Sequence, residues 1–468
     1  MKRILLLLLT IATLAAKAQV YNNEWIDYSK TYYKFKVAAT GLYRISQPAL
    51  ATIGIGNTPA EHFQLWRNGQ QIPVYTSVQT GTMGASDYIE FWGEMNDGKP
   101  DNIMYRLPDY QLNDKYSLQT DTAAYFLTVN PSGSNLRLQP TVNNVAGNVL
   151  SPEPYFKATV GRYYKDRIHN GRSELVGDSY TYSSSYDYGE GWASNDLAEN
   201  AATTNLFTGL RVYAGGGAPA PVLKVNAAGN AVHPRYFRVK VNGDSVAGQI
   251  INYYDYAKVS TTIPLSLISG NTANIEVTNM GVGPSDRMVV AQVELIYPHT
   301  FDFGGSGTYY FELPANTSGN YLEISAFAYS GPAPVLYDLT NGKRYVVDNT
   351  NPSLLKIALE PSAVDRKLVL VNEAPSNLLT VTALQQRNFT NYALPANQGD
   401  YLIITNSSLT NGANGDNPIN DYKAYRSSAQ GGGYNAAVYM IDELVDQFGL
   451  GIKKHPLSIR NFLRWARS

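Results

Sequence analysis

Asn-Gly pairs at 68–69, 242–243 and 341–342, each set beside strand-like runs of this 468-residue chain, narrow what it can fold into. Asn-Gly tolerates positive φ at both central positions of a two-residue hairpin turn, so each pair predicts a strand on either side. The flanking runs agree: Gln64–Arg67 and Gln71–Tyr75, Arg235–Val241, Val335–Asp338 and Tyr345–Asp348 are short and rich in β-branched or aromatic residues. Composition supports the same reading. There are 39 Gly, 24 Pro and 36 Tyr, while charged residues reach only 16%, as expected of short strands joined by many turns. That charge content, with a formal net charge of −1, excludes both an acidic disordered tail and a basic nucleic-acid arm. No fixed-period repeat is present, which argues against a solenoid or propeller.

The pattern divides the chain into consecutive β units. Residues 19–150 hold Tyr32–Val37, Gly41–Ile45, Asp87–Trp92 and Ala124–Val129, with one short helix near Pro48–Ile53. The Pro/Gly/Ser/Asn-rich stretch Asn130–Pro154 reads as a linker or long surface loop. Residues 151–300 and 301–396 repeat the theme, and strands of this spacing favour a jelly roll or β-sandwich for each. Near residue 397 the pattern changes. Tyr401–Ile404 and Ala436–Ile441 are continuous apolar runs, expected of parallel strands buried on both faces. Between them Asn417 is a predicted N-cap with Pro418 at the first helical position, followed by Ile419, Tyr422 and Tyr425. Gly431–Gly433 ends that helix. Pro456 opens another, with Ile459, Phe462, Leu463 and Ala466 at i, i+3, i+4 and i+7. The fold class is therefore mainly β, consecutive sandwiches followed by the start of an α/β domain over 397–468. The sequence stops inside the last helix without a C-cap, so that domain is expected to be incomplete.

The first residues read as a signal peptide, 1–18. Lys2 and Arg3 precede the apolar run Ile4–Leu14, and Ala16-Lys17-Ala18 fits the small-x-small cleavage rule, placing cleavage between Ala18 and Gln19. The run is too short to span a bilayer, which takes ~20 apolar residues, and no other stretch is long enough. Export through the inner membrane to the cell surface or beyond is the expectation.

Zero Cys excludes disulfides, thiolate metal sites and any cysteine nucleophile within this chain. The five His (His62, His169, His233, His299, His455) form no metal-binding spacing and read as surface or turn residues. Asn96–Asp101 faintly suggests a calcium loop but lacks the alternating ligands and terminal Glu, so a polar turn is favoured. Gly215–Gly217 and Gly431–Gly433 are followed by no Gly-Lys-Ser/Thr, which excludes a phosphate loop. The aromatics Tyr163-Tyr164, Tyr180–Tyr188, Trp192 and Tyr253–Tyr256 either fill strands or stack on a sugar, the first being favoured. Asp442 follows the second parallel strand, at the sheet edge where α/β proteins gather functional residues; a helix-capping role competes with a place on an active-site rim.

The last 70 residues resemble the opening of the gingipain-type peptidase domain, peptidase family C25. The resemblance rests on Asp400–Thr405, Tyr422–Arg426, Ala437–Ile441, the loop Asp446-Gln447-Phe448-Gly449 and the segment His455–Leu463. Within the last two, Asp446, Phe448, Gly449, Pro456, Ile459, Arg460, Phe462 and Leu463 are the most specific. Gly41–Ile45, Asp87–Gly93, Thr120–Ala123 and Glu294–Pro298 are similar, more loosely, to the β-rich first half of secreted members, including those resembling the type IX secretion sortase. The family implies a caspase-like fold and a Cys–His pair acting on protein or peptide substrates. Both catalytic positions would lie downstream of residue 468, as would any type IX sorting domain, so no catalytic, cofactor or metal residue is expected here. His455 precedes the helix and is not assigned the catalytic role. Calcium in the longer parent, and contacts with a secretion machinery, stay open; nucleic acid and a transmembrane span are not expected. The reading is the amino-terminal portion of a secreted C25 endopeptidase or sortase. The alternative is a secreted β-sandwich adhesin or carbohydrate-binding protein carrying a vestigial peptidase segment.

Overall fold

A computed structural model describes residues 20–183, 185–281, 283–412 and 415–468. The cleavage position at Ala18 and Gln19 lies outside the described residues. The hairpin turns form as the sequence predicts at two of three places. Asn68 and Gly69 (φ 49° and 72°) join Phe63–Arg67 to Gln70–Ile72, and Asn242 and Gly243 (φ 50° and 95°) join Arg235–Val241 to Asp244–Ile251. The third pair sits in a four-residue loop, Leu339–Gly342, whose Asn341 amide is held by Asp338 Oδ1 at 2.9 Å.

Three β-sandwiches follow one another, each two sheets over an apolar core. The first packs a five-stranded sheet around Tyr32–Val37 and Ala123–Val129 against a four-stranded sheet around Gly41–Ser46 and Tyr88–Gly93. Phe35, Ile45, Phe63, Leu65, Phe91 and Tyr125 fill the space between them. The second closes over Leu223, Phe237, Ile275 and Val293, and the third over Phe311, Leu322, Ile357 and Leu368. Alternation delivers these residues: Arg235–Val241 points every second side chain into the core.

The strand pairings cross the expected unit limits. Leu378–Thr380 runs parallel to Leu42–Arg44, and Gln385–Arg387 runs antiparallel to Tyr32–Lys34, so both complete the first sandwich from the far side of the third. Gln139–Thr141, expected as linker, is a strand parallel to Lys343–Tyr345 on the third sandwich. All three occupy sheet edges, where a three-residue strand is enough to cover unpaired backbone. Further correction concerns the histidines: His169, His299 and His455 are buried. Of the Tyr-rich stretch, two residues pack between units: Tyr105 meets Tyr186 edge-on at 5.4 Å and Tyr188 lies 5.2 Å from Tyr110, seating a loop of the first sandwich on the second, while Tyr182 and Tyr253 are exposed.

The final segment is strand–helix–strand–helix–helix. Four α-helices lie among the described residues: α1 (Gln47–Thr52), α2 (Pro418–Ser427), α3 (Ile441–Phe448) and α4 (Leu457–Arg467). Tyr401–Thr405 and Ala436–Met440 pair in parallel, in register from Tyr401↔Ala436 to Thr405↔Met440. These strands are only half buried, contrary to expectation, because the sheet holds two strands and α2 buries none of its own side chains. Among the described residues no helix is long and apolar enough to cross a membrane.

Candidate functional site

Helix α3 was not foreseen; Asp446–Gly449 read as a loop. Ile441, Leu444, Val445 and Phe448 stand at i, i+3, i+4 and i+7, the spacing that would have revealed it. Asp442 and Glu443 occupy its first turn, where carboxylates meet the positive end of the helix dipole. Gly449 ends the helix, and a Cβ there would come within 2.9 Å of Ser458 Cβ, so the close crossing of α3 and α4 depends on glycine. Gly451 has φ 72° and lies against Ala124 of the first sandwich.

This loop and the two helices are fastened to the first sandwich by buried polar groups. Asp446, 1% exposed, takes the Lys34 ammonium on one oxygen and Arg387 Nε on the other at 3.0 Å. His455 Nε2 lies 2.8 Å from Asp101 Oδ1, while its Nδ1 accepts the Leu457 amide at 3.0 Å. The imidazole therefore donates through Nε2. Asp101 also accepts Ser117 Oγ–H at 3.1 Å and the Leu118 amide at 2.7 Å. The stretch expected as a polar turn thus ends in a 3-10 helix, Lys99–Met104, whose carboxylate is a buried anchor. Arg460 Nη1 donates to the Ile103 carbonyl at 2.6 Å, and Glu443 Oε1 accepts the Thr390 amide at 2.6 Å. Burial, with Glu443 beside it, pushes the Tyr392 phenol above its ordinary value.

Between the anchored helices and the sandwich lies a cleft of about 1100 Å³. Asn406 and Ile441-Asp442, the residues that follow the carboxyl ends of the two parallel strands, open onto it. Ligands of α/β sheets bind outside the carboxyl ends of the strands, so this is the edge at which a ligand of the segment would sit. The opposite wall comes from the first sandwich: Lys34, Lys36, Thr120, Thr122, Thr382 and Arg387 are among its residues. Asp442 is exposed at the mouth of this cleft, and Met440, not Asp442, stands at the N-cap position of α3.

The specific residues of the sequence reading separate into three sets. Phe448 and Phe462 are buried with ring centroids 5.4 Å apart, and Gly449 permits their approach. Asp446 and Arg460 dock the segment on the sandwich. Pro456, Ile459 and Leu463 are exposed, the last two at 40% and 43%, which corrects the apolar face expected of α4. The buried face is Leu457, Ser458, Asn461 and Phe462. Two of these are polar because Ser458 Oγ donates to the His455 carbonyl at 2.8 Å and Asn461 Nδ2 to the Phe448 carbonyl at 3.3 Å. Among the described residues no group of three or more His, Asp or Glu could hold a metal ion. With no Cys in the chain, none of the cleft's own groups is a thiolate.

Residues 394–468 match the model of peptidase family C25, the span in which the sequence resemblance is strongest. In fold the chain is similar to dimeric latent PorU from Porphyromonas gingivalis, with a TM-score of 0.57 and 12% identity over 95% of this chain and 41% of that one. The chain thus spans less than half the length of that protein. Lesser likenesses are to the C-terminal CBM6 of LamC from Zobellia galactanivorans (10% identity, 30% of this chain and 98% of that one, TM-score 0.18) and to a family 35 carbohydrate binding module from Clostridium thermocellum (14%, 30% and 97%, TM-score 0.17). Scores that low carry no argument here. No curated protein matches the sequence.

Proposed function

We propose that this chain is the amino-terminal portion of a secreted gingipain-type cysteine endopeptidase or sortase, in which the sandwiches carry the opening of the catalytic domain. The observation that bears most weight is the placement of the C25-matching segment: its strand ends open on the cleft it shares with the first sandwich. In this reading a Cys–His pair beyond residue 468 supplies the chemistry. The thiolate attacks a peptide carbonyl, the imidazole passes its proton to the leaving amine, and water or an acceptor amine resolves the acyl-enzyme. Water gives hydrolysis and an amine gives transpeptidation. The residues of this chain hold the geometry. Lys34 and Arg387 on Asp446, and Asp101 on His455, fix α3 and α4 so that the strand ends face the sandwich wall. The apolar run before Ala16-Lys17-Ala18 supports export.

The reading frame beyond codon 468 tests this. A continuation containing a His and a later Cys, whose expressed product cleaves peptides and is silenced by iodoacetamide, is the expected result. A stop codon there, or a product that binds but never cleaves, would return the chain to the adhesin class. The 468-residue chain alone should hydrolyse no peptide in a thiol-dependent manner.

A further inference from the structure

We infer that the cleft selects acidic, extended polypeptide segments, an inference that rests on its reading as the substrate side of a peptidase domain. Charge is the first ground. Five fixed cations line the cleft (Lys34, Lys36, Arg387, Lys453, Lys454) against two carboxylates, Asp442 and Asp446. Asp446 is already saturated by Lys34 and Arg387. Lys36, Lys453 and Lys454 are exposed, and among the described residues no ion pair or side-chain hydrogen bond engages any of them. They stand on both walls, Lys36 on the sandwich and the other two on the loop between α3 and α4. A cleft with low-dielectric walls and one excess sign concentrates the opposite charge within it.

Backbone geometry is the second ground. Lys454 adopts φ 65° and Leu450 φ 58°, conformations that side-chain-bearing residues rarely take. The loop is held in that shape by Gly451 N–H on the Val445 carbonyl at 2.9 Å and by the buried His455–Asp101 contact one residue on. The lysines are thus carried on a fixed turn rather than a loose one.

The third ground chooses a polypeptide over other polyanions. Between the cations the walls present the aliphatic side chains of Ala383, Ile441 and Ile459 beside the hydroxyls of Thr120, Thr122 and Thr382. Ile459, 40% exposed on a helix whose buried face lies elsewhere, is turned to this space. A chain alternating carboxylates with aliphatic side chains matches such walls, whereas a phosphate or sulfate polymer has nothing to place there.

Fluorescence anisotropy on the chain as it stands tests the inference with labelled peptides alternating Glu with Leu or Val. The expected result is binding that weakens with salt and falls about tenfold or more in the Lys36→Glu/Lys453→Glu/Lys454→Glu variant, three exposed charge contacts being lost and reversed. The Gln-for-Glu peptide should bind correspondingly less. Ile459→Ser should weaken the Leu/Val peptide and spare one that alternates Glu with Gly. Equal binding of the Gln peptide, or no change in the triple variant, overturns it. So does full displacement by inorganic phosphate or dextran sulfate together with indifference to Ile459→Ser, which would mark a general anion site. Should the triple variant not fold, Lys36→Gln and Lys454→Gln singly give the same reading at smaller amplitude. Binding needs no nucleophile, so failure here is separable from failure of the peptidase reading. An extended protein that cleaves peptides without acidic preference defeats the inference alone.

Discussion

Asp446 shows how one side chain can carry a docking interface. It is nearly fully buried and holds two cations that are themselves only partly covered. Removing one partner of such a cluster leaves charge without compensation, and Asp446→Asn should cost about 2–4 kcal/mol, felt where the segment docks. Hydrogen exchange at α3 and α4 should quicken while the second sandwich stays unchanged; unchanged exchange at the helices would contradict this. Histidines give a second expectation. Burial lowers the His169 and His299 imidazoles below their ordinary value, so the unfolded chain takes up their protons first as pH falls. Stability therefore declines as pH drops through about 6.5 toward the lower folded values and is fully present above it. Thermal melts between pH 8 and pH 5 should show the decline, and His299→Gln should flatten it. None of this burial was legible in sequence. A lone His carries no sign of its surroundings, and His299 is enclosed by Phe156 and Tyr309 from elements far along the chain or across a turn.

Gly451→Ala is the matching expectation for the turn between α3 and α4. The new methyl would meet Ala124 Cβ at 2.4 Å in a left-handed conformation, so the loop must lift from the sheet at a cost of about 1–3 kcal/mol. Protease sensitivity at 449–456 should rise, and wild-type resistance would refute the contact. Local signals served well where one element's own residues decide its form. Asn417 caps α2 through the Asn420 amide at 3.1 Å with Pro418 following, and both parallel strands form where the apolar runs stand. Local signals failed where a partner decides. The apolar face of α4 pointed to Ile459, Phe462, Leu463 and Ala466, yet of these only Phe462 is buried, and Ser458 and Asn461 are buried because the His455 and Phe448 carbonyls accept from them. The cleft itself was illegible beyond Asp442, since its second wall comes from residues near 34, 122 and 381, which no spacing rule connects to 442.

Across the molecule, order should be uneven. Tyr401–Thr405 and Ala436–Met440 form a two-stranded sheet with half-buried side chains, so their amides should exchange faster than those around Val239 and Val293, which are fully enclosed. Equal protection would show that the pair is complete as it stands. Most consequential is the return of Leu378–Thr380 and Gln385–Arg387 to the first sandwich. The earliest strands to be synthesised keep two open edges until residues 378–387 have been made. Closing that loop of roughly 350 residues carries an entropic cost of about 5 kcal/mol. At about 5–20 residues per second, the wait is roughly 20–70 s. The second sandwich has no such delay. A ribosome-stalled chain ending before residue 378 should therefore yield to protease within 32–129 while 222–299 resists. The sandwich begun first is thus expected to be the last to become whole, and it is the one on which the C25-matching segment is anchored.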